Sequence, residues 1–289
     1  MKKTVKVAMC QLKLTSLDVD ANLAVLEKAF EEACASAEKP ELLVFPELTN
    51  TGYVLQRSGD FGAKLAEAAE LIPGGRSCSL ISRLCKAHQV YCICGLCEKH
   101  PNISSMMYNS AAFFGPDGEF IGKHRKIYIP GEEKHYFIQG DSVEVYDTSL
   151  GKIGLQVCYD VWYPELSRIQ ALKGAEILVS VWNVAGSMAP WQVFYSFIGG
   201  RAIENRCFSV GCNRVGPHGQ VVFGGNSVAV DPNGTMLNEV TDQEAILYAT
   251  LHASAIPDAR GVQPTLRDGR QDILELLCKS GEEVYSLKA

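Results

Sequence analysis

A chain of 289 residues, 47% hydrophobic and 21% charged, is long enough to bury roughly 75% of its unfolded surface in a globular core. Its 33 acids against 27 bases leave a net charge of −6 with no basic block, which argues against nucleic acid or an anionic membrane as partner. No apolar run approaches the roughly 20 residues that span a bilayer, and 11 cysteines without an export signal point to a reducing cytoplasm rather than a disulfide framework.

In chain order, residues 4–10, TVKVAMC, alternate and predict a first strand, not a signal peptide. Asp18 or Asp20 is placed to cap a helix whose apolar positions recur at helical spacing through 21–37. ELLVFPEL, residues 41–48, is a short continuous apolar run, the pattern of a strand buried on both faces, and it ends at Pro46-Glu47. Residues 60–70 and 77–89 predict two helices parted by the turn Pro73-Gly74-Gly75, and strands follow at 90–97, 108–114 and 119–124. The cluster Cys92, Cys94 and Cys97 lies on an alternating strand pattern with no second ligand pair, so it reads as packing and not as a metal site.

After a loop over 127–142, strands are expected near 143–147 and 152–157, then a helix over 164–173. The apolar strand AEILVSVW, a helix over 189–205 and the strand CFSVGCN come next. Strands at 225–230 and 236–250 flank the turn Asp231-Pro232-Asn233-Gly234, and the tail after Pro257 carries a short helical patch, ILELLCK. No linker or repeat divides the chain. Alternating strands and helices with hairpin turns predict one α/β domain with mixed sheets.

The stretch GKIGLQVCYDVWYPEL, residues 151–166, is the chain's centre of interest. Its strand stops at Cys158, and Pro164-Glu165 open a helix, so the expectation is a thiol at a strand-to-helix elbow, its pKa lowered by the helix end. Glu47, Lys126 and Cys158 each fall at or just beyond a strand end. Together they suit attack on an amide-like carbon. A desolvated carboxylate takes the thiol proton, and a lysine with a backbone N–H holds the oxyanion. The returned proton frees the amine, and a thioester remains for water to split. Singly, each has an ordinary reading: a capping or solvated acid, a surface lysine, a small buried hydrophobe. Two histidines, His124 and His135, are the candidate bases of a rival cysteine hydrolase, though neither sits in a known Cys/His signature.

With these three in view the chain resembles the nitrilase superfamily of carbon–nitrogen hydrolases along nearly its whole length. FPELTNTGY (45–53) resembles the family's glutamate motif, GKHRKIYIP (122–130) its lysine motif, and GLQVCYDVWYPEL its cysteine motif; YNSAAFFGPDGEFIG and GGRAIENRCFSVGCNRVG match further. The resemblance implies Glu47 as general acid/base, Lys126 as oxyanion stabiliser and Cys158 as nucleophile. It also implies a second glutamate, Glu133 in preference to its neighbour Glu132. Tyr159 would supply the oxyanion N–H, with Asp160 and Asn109 in support. Tyr53, Trp162, Trp182 and Asn183 are the expected pocket residues, with Trp191 a further candidate wall.

Tyr159-Asp160 after the cysteine is more like amidases and carbamoyl hydrolases than nitrilases. CYDVWYPE resembles the carbamoylputrescine amidase pattern. Members that grip a carboxylate often carry arginines just beyond the cysteine, where this chain has Val161, Trp162 and Tyr163. An acidic carbamoyl substrate is thus not favoured unless Arg168, Arg201 or Arg214 reaches the pocket from elsewhere. The implied fold is a four-layer αββα sandwich spanning 1–289, with 257–289 a C-terminal extension packed on a partner subunit. A homodimer or larger homo-oligomer would form through residues 164–173 and 189–205. The implied activity is hydrolysis of a small carboxamide or N-carbamoyl amine with release of ammonia and no cofactor. Nitrile or carbamoyl amino acid hydrolysis at the same site, or a scaffold of little activity, are the other readings.

Overall fold

The computed structural model describes residues 1–53, 59–186 and 190–285. Its strands place apolar side chains on both faces, so the two sheets pack against each other and each also packs against helices. Strand β1 (Thr4–Gln11), β2 (Leu42–Phe45), β3 (Tyr91–Lys99), β4 (Met107–Phe114) and β5 (Phe120–Arg125) form a six-stranded sheet with the late strand β13 (Ala245–His252), in the order β13-β1-β2-β3-β4-β5. On one face, Ala8, Cys10, Leu43, Phe45, Cys92, Cys94 and Phe114 pack under helices α1 (Val19–Ala35) and α3 (Arg76–His88). The Cys92/Cys94 pair thus shares this apolar face. On the other, Val7, Met9, Val44, Ile93 and Phe113 meet the second sheet.

That second sheet runs β12-β9-β8-β7-β6, from β6 (Val145–Thr148), β7 (Gly151–Val157), β8 (Ile177–Trp182), β9 (Phe208–Asn213) and β12 (Val228–Val230). Leu155, Val179 and Val210 point to the first sheet, while Gln156 is turned outward and hydrogen-bonds Ser167 and Gln170 of α4 (Pro164–Leu172). Helix α5 (Trp191–Asn205) covers the same outer face, where Gly211 leaves room for Phe194 and Ile198. The result is helix, sheet, sheet, helix, each layer burying one apolar face.

Direction decides where the site falls. Strands β1, β2 and β3 are parallel, and two antiparallel steps bring β5 back to the same sense as β2. Strands β7, β8 and β9 are parallel in the other sheet. The carboxyl ends of β2 and β5 lie on one sheet and those of β7 and β8 on the other.

Most predicted elements form, with shifted ends. Asp18 caps α1, its carboxylate accepting from the Ala21 N–H. The expected strand over 236–250 starts only at Ala245, because the stretch before it is a loop tied down by Asn238 and Gln11. The expected loop 127–142 holds a 3-10 turn over Gly131–His135. A short hairpin, β10 (Val215–His218) with β11 (Val221–Gly224), was not expected, since Gly and Pro interrupt any alternation there. Two short helices complete the order: α2 (Phe61–Ala68) and α6 (Ala255–Val262). The terminal helix α7 (Gln271–Tyr285) is longer than its seven-residue patch predicts, and none of its residues is buried.

Candidate active site

Glu47 sits two residues past β2, where Pro46 ends the strand and Gly95 of β3 lies against it. A Cβ at Gly95 would overlap the Glu47 Cα and the Pro46 carbonyl. Glycine therefore lets the two backbones touch, and the Gly95 N–H donates to Pro46 O (3.1 Å) and Gly95 O accepts from the Thr49 N–H (2.7 Å). Lys126 follows β5 directly, its backbone N–H on Asn109 O (2.8 Å). Its ammonium donates to Glu47 Oε1 at 2.7 Å and to both oxygens of Glu133 at 2.9 Å. Asn109 of β4 completes the group, its amide reaching Glu47 Oε1 (2.6 Å) and Glu133 Oε2 (3.2 Å). Glu132, by contrast, is exposed, and the 3-10 turn aims only Glu133 inward.

All three ions are buried, with side-chain exposures of 0–1%, and two carboxylates share one ammonium. Burial pushes the Glu47 carboxyl up to about 7; Lys126 opposes this, Glu133 adds to it, and the Lys126 and Asn109 hydrogen bonds oppose it. Burial pulls the Lys126 ammonium down, but Glu133 and Glu47 more than offset it, so the cation is held. Glu47 Oε2 has no hydrogen-bond partner among the described residues, which leaves one oxygen open for a proton.

Cys158 begins a 3-10 turn, Cys158–Trp162, in the left-handed conformation (φ 49°). The expected low-pKa thiol is not what this position gives. Helix α4 begins six residues later, and burial pushes the thiol well above its usual range. The charge of Glu47 adds to that and Lys126 works against it; Glu133 raises it further, and a hydrogen bond from the Asn183 main chain lowers it. The resting sulfur is a neutral thiol beside a carboxylate poised near neutrality.

Asp160 is the clamp of this turn. One carboxylate oxygen accepts from the Ile127 and Tyr128 N–H groups (both 3.0 Å), the other contacts Val157 N–H (3.1 Å) and His124 Nε2 (2.8 Å). It therefore ties the end of β7 to the Lys126 segment across the two sheets. His124, weighed as a base from sequence, is the partner of this clamp; His135 lies exposed on the 3-10 turn, near Glu132. Neither the His124 bond nor the Gly95 contact was foreseen. A glycine in mid-strand was the one available signal for the second.

The expected pocket residues divide. Tyr53 donates its hydroxyl to Glu133 Oε1 (2.5 Å), and the Asn183 side-chain amide donates to Glu47 O (2.7 Å). Tyr159 is half-buried with its ring beside Trp162 and Tyr163. Trp182 packs as core instead: it is fully buried, set edge-on to Phe194, with its indole N–H on Ser180. Strand alternation turns it toward α5, away from the other sheet. Trp162 is 43% exposed and lies on Phe197 of α5, and Trp191 is 40% exposed beside Tyr195 at the start of that helix.

A buried base near neutrality, a fixed ammonium and a thiol at the junction of two sheets are a set suited to acyl transfer. The carbon–nitrogen hydrolase family model matches residues 6–260. The chain is 34% identical over 241 residues to a nitrilase of Pyrococcus abyssi, covering 83% of this chain and 86% of that one. It is 29% identical over 281 residues to the omega-amidase of Homo sapiens, covering 93% and 96%. Among solved structures it resembles a variant of the Nesterenkonia sp. AN1 amidase with an acetamide moiety covalently added at its active-site cysteine (26% identity, TM-score 0.79, covering 94% and 97%). The chain belongs to the carbon–nitrogen hydrolase family, in the nitrilase superfamily, and is a hydrolase of carbon–nitrogen bonds other than peptide bonds.

Proposed function

We propose that the chain hydrolyses a small carboxamide or N-carbamoyl amine with release of ammonia, using Cys158 as nucleophile and Glu47 as the general acid and base. The observation that carries this is Lys126 bridging Glu47 and Glu133 in a buried group whose Glu47 carboxyl is held at about 7. The Cys158 S–H proton passes to Glu47 as sulfur bonds to the carbonyl carbon. The oxyanion that forms faces the Lys126 ammonium and the Tyr159 N–H. Glu47 returns the proton to the departing nitrogen, the C–N bond breaks, and a thioester remains. Water, losing a proton to Glu47, then cleaves the thioester to the acid and restores the thiol. Glu133 holds the lysine, and Asn109 holds both carboxylates in place.

Amide chemistry is favoured over nitrile chemistry by the Tyr159-Asp160 pair and by the relatives that bear the name omega-amidase. The subunit is proposed to pair with a second copy through α4, α5 and the extension after 257. Ile169, Leu172, Ile203, Leu276 and Leu277 are exposed apolar side chains on those segments. No helix among the described residues is long and apolar enough to cross a membrane, and a reducing cytoplasm is the proposed setting.

Glu47→Gln protein incubated with a panel of amides, carbamoyl amines and nitriles tests the reading. Mass spectrometry should find a stable adduct on Cys158, and wild-type protein should release ammonia from the amides. An adduct on any other cysteine, or turnover of nitriles alone, would refute it. A stable, active monomer on sedimentation would contradict the pairing.

A further inference from the structure

Sequence makes His124 a candidate base, and its surroundings give it a different task. It sits on β5 between Lys123 and Arg125, both of which turn to Glu98 on one face of the sheet. Alternation sends His124 to the opposite face, where β5 packs on β7. There the residue is 2% exposed, and its Nε2 lies 2.8 Å from Asp160 Oδ2. A carboxylate only accepts, so Nε2 is the donor, and the neutral ring leaves Nδ1 a bare acceptor. Nδ1 indeed has no partner among the described residues.

What this bond supports is a strained residue. Cys158 holds a φ of 49°, a conformation that a non-glycine residue keeps only where its surroundings over-determine it. Asp160 supplies the constraint. It accepts from the Val157 N–H (3.1 Å), just before the cysteine, and from the Ile127 and Tyr128 N–H groups (3.0 Å each), just after Lys126. The Tyr128 ring also stacks on Tyr163 at 3.4 Å, across the same junction. Stacked rings can slide, whereas four directional donors fix a carboxylate in place and in orientation. Three of the four are main-chain groups that almost any residue would offer. His124 is the one side chain among them, and without it Oδ2 keeps the Val157 N–H alone.

We infer that His124 is a positioning residue for the reaction: its Nε2–H holds the Asp160 carboxylate and, through it, the strained Cys158 turn opposite Lys126. This rests on the hydrolase reading above and deepens it. One short segment, His124 to Lys126, then supplies both the ammonium and the register of the sulfur that faces it.

The test compares His124→Leu, which removes the donor, with His124→Gln, whose amide nitrogen takes the place of Nε2. With butyramide as substrate, His124→Leu should lower kcat per folded molecule about 30–100-fold with KM within about threefold, and His124→Gln should recover to within about fivefold of wild type. The limb near pH 7 should stay in both, since Glu47 carries it. In an Asp160→Asn background, His124→Leu should cost less than about threefold more, because its effect passes through that carboxylate. A kcat for His124→Leu within about threefold of wild type, a glutamine variant no better than the leucine one, or losses that multiply in the double variant would overturn the inference. So would loss of the pH 7 limb in His124→Leu, which would make His124 the base. His124→Asn, whose shorter amide stops short of Asp160, gives the same comparison without an apolar group at the junction.

A second arm needs no turnover. Iodoacetamide labelling read by mass spectrometry should reach Cys158 at least about tenfold faster in His124→Leu than in wild type or His124→Gln, with the buried Cys94 and Cys212 still unmodified. An unchanged Cys158 rate, or a rise shared by all three cysteines, sinks the positioning role even where butyramide is inert, an inertness that counts against the proposed chemistry instead.

Discussion

Two buried glutamates lie in or just past neighbouring strands of one sheet, and their surroundings give them opposite character. Glu98, on β3, accepts from Lys123 (2.6 Å), from Arg125 and from the Ser110 hydroxyl (2.6 Å). Burial would raise its pKa, but the Arg125, Lys123 and Ser110 hydrogen bonds outweigh that and hold the carboxyl below its usual range. Glu47 shares its one cation with Glu133, and its carboxyl rises to about 7. Two cations to one carboxylate make a structural anchor; one cation to two carboxylates leaves a base able to exchange its proton near neutrality. Depth of burial and charge stoichiometry together separate the two.

Removing the shared cation breaks the comparison hardest. Lys126→Met leaves two buried carboxylates facing each other, and it should cost about 3–5 kcal/mol of stability by urea titration and at least about 10³-fold in turnover. Glu47→Gln should fold normally by circular dichroism and lose about 10²–10⁴-fold in kcat. In wild type, kcat/KM should rise with pH through about 7 as Glu47 loses its proton; a limb unmoved in the residual activity of Glu47→Gln would assign that titration elsewhere. Gly95→Ala, which pushes the Glu47 backbone aside, should cost about 100-fold in kcat while far-UV spectra stay native. Glu98→Gln should sharpen the contrast: about 1–3 kcal/mol less stable, with activity per folded molecule within a few-fold of wild type.

The two acids should also leave opposite marks on stability against pH. For Glu47 the folded pKa is raised, so the folded state binds its proton more tightly; that contribution is full below the ordinary 4.5 and is lost as pH rises through about 7. For Glu98 the folded pKa is depressed. Its contribution is present above the ordinary carboxylate range and is lost as pH falls through the depressed value. Urea midpoints of Glu47→Gln and Glu98→Gln measured against wild type across that range should therefore diverge from it in opposite directions. A thiol-labelling profile adds the smallest effect: iodoacetamide should modify Cys158 slowly at neutral pH, since its thiol is pushed up, and slow labelling does not mark an inactive scaffold.

The sheet layers were legible because strands buried on both faces carry continuous apolar runs, as LLVF and ILVSVW do. Glu47 and Cys158 were legible because each interrupts such a run at its end, and Lys126 because it follows the strand FIGKHR within the stretch GKHRKIYIP. Glu133 was separable from Glu132 by its motif, and the 3-10 turn places it inward. The direction of the thiol's pKa was not legible, because it depends on two acids from distant parts of the chain. Trp182 looked like a pocket wall until strand alternation turned it to α5.

Asp160 has one more consequence. Glu47 and Lys126 ride on one sheet, Cys158 on the other, and a single carboxylate accepts donors from both. The proposed chemistry therefore belongs to the interface between the sheets and to neither sheet alone. Any loosening of the sandwich parts Cys158 from Glu47, the base proposed for it, while each sheet keeps its own hydrogen bonds. Warmed or mildly denatured protein should fall silent first and lose its secondary structure later.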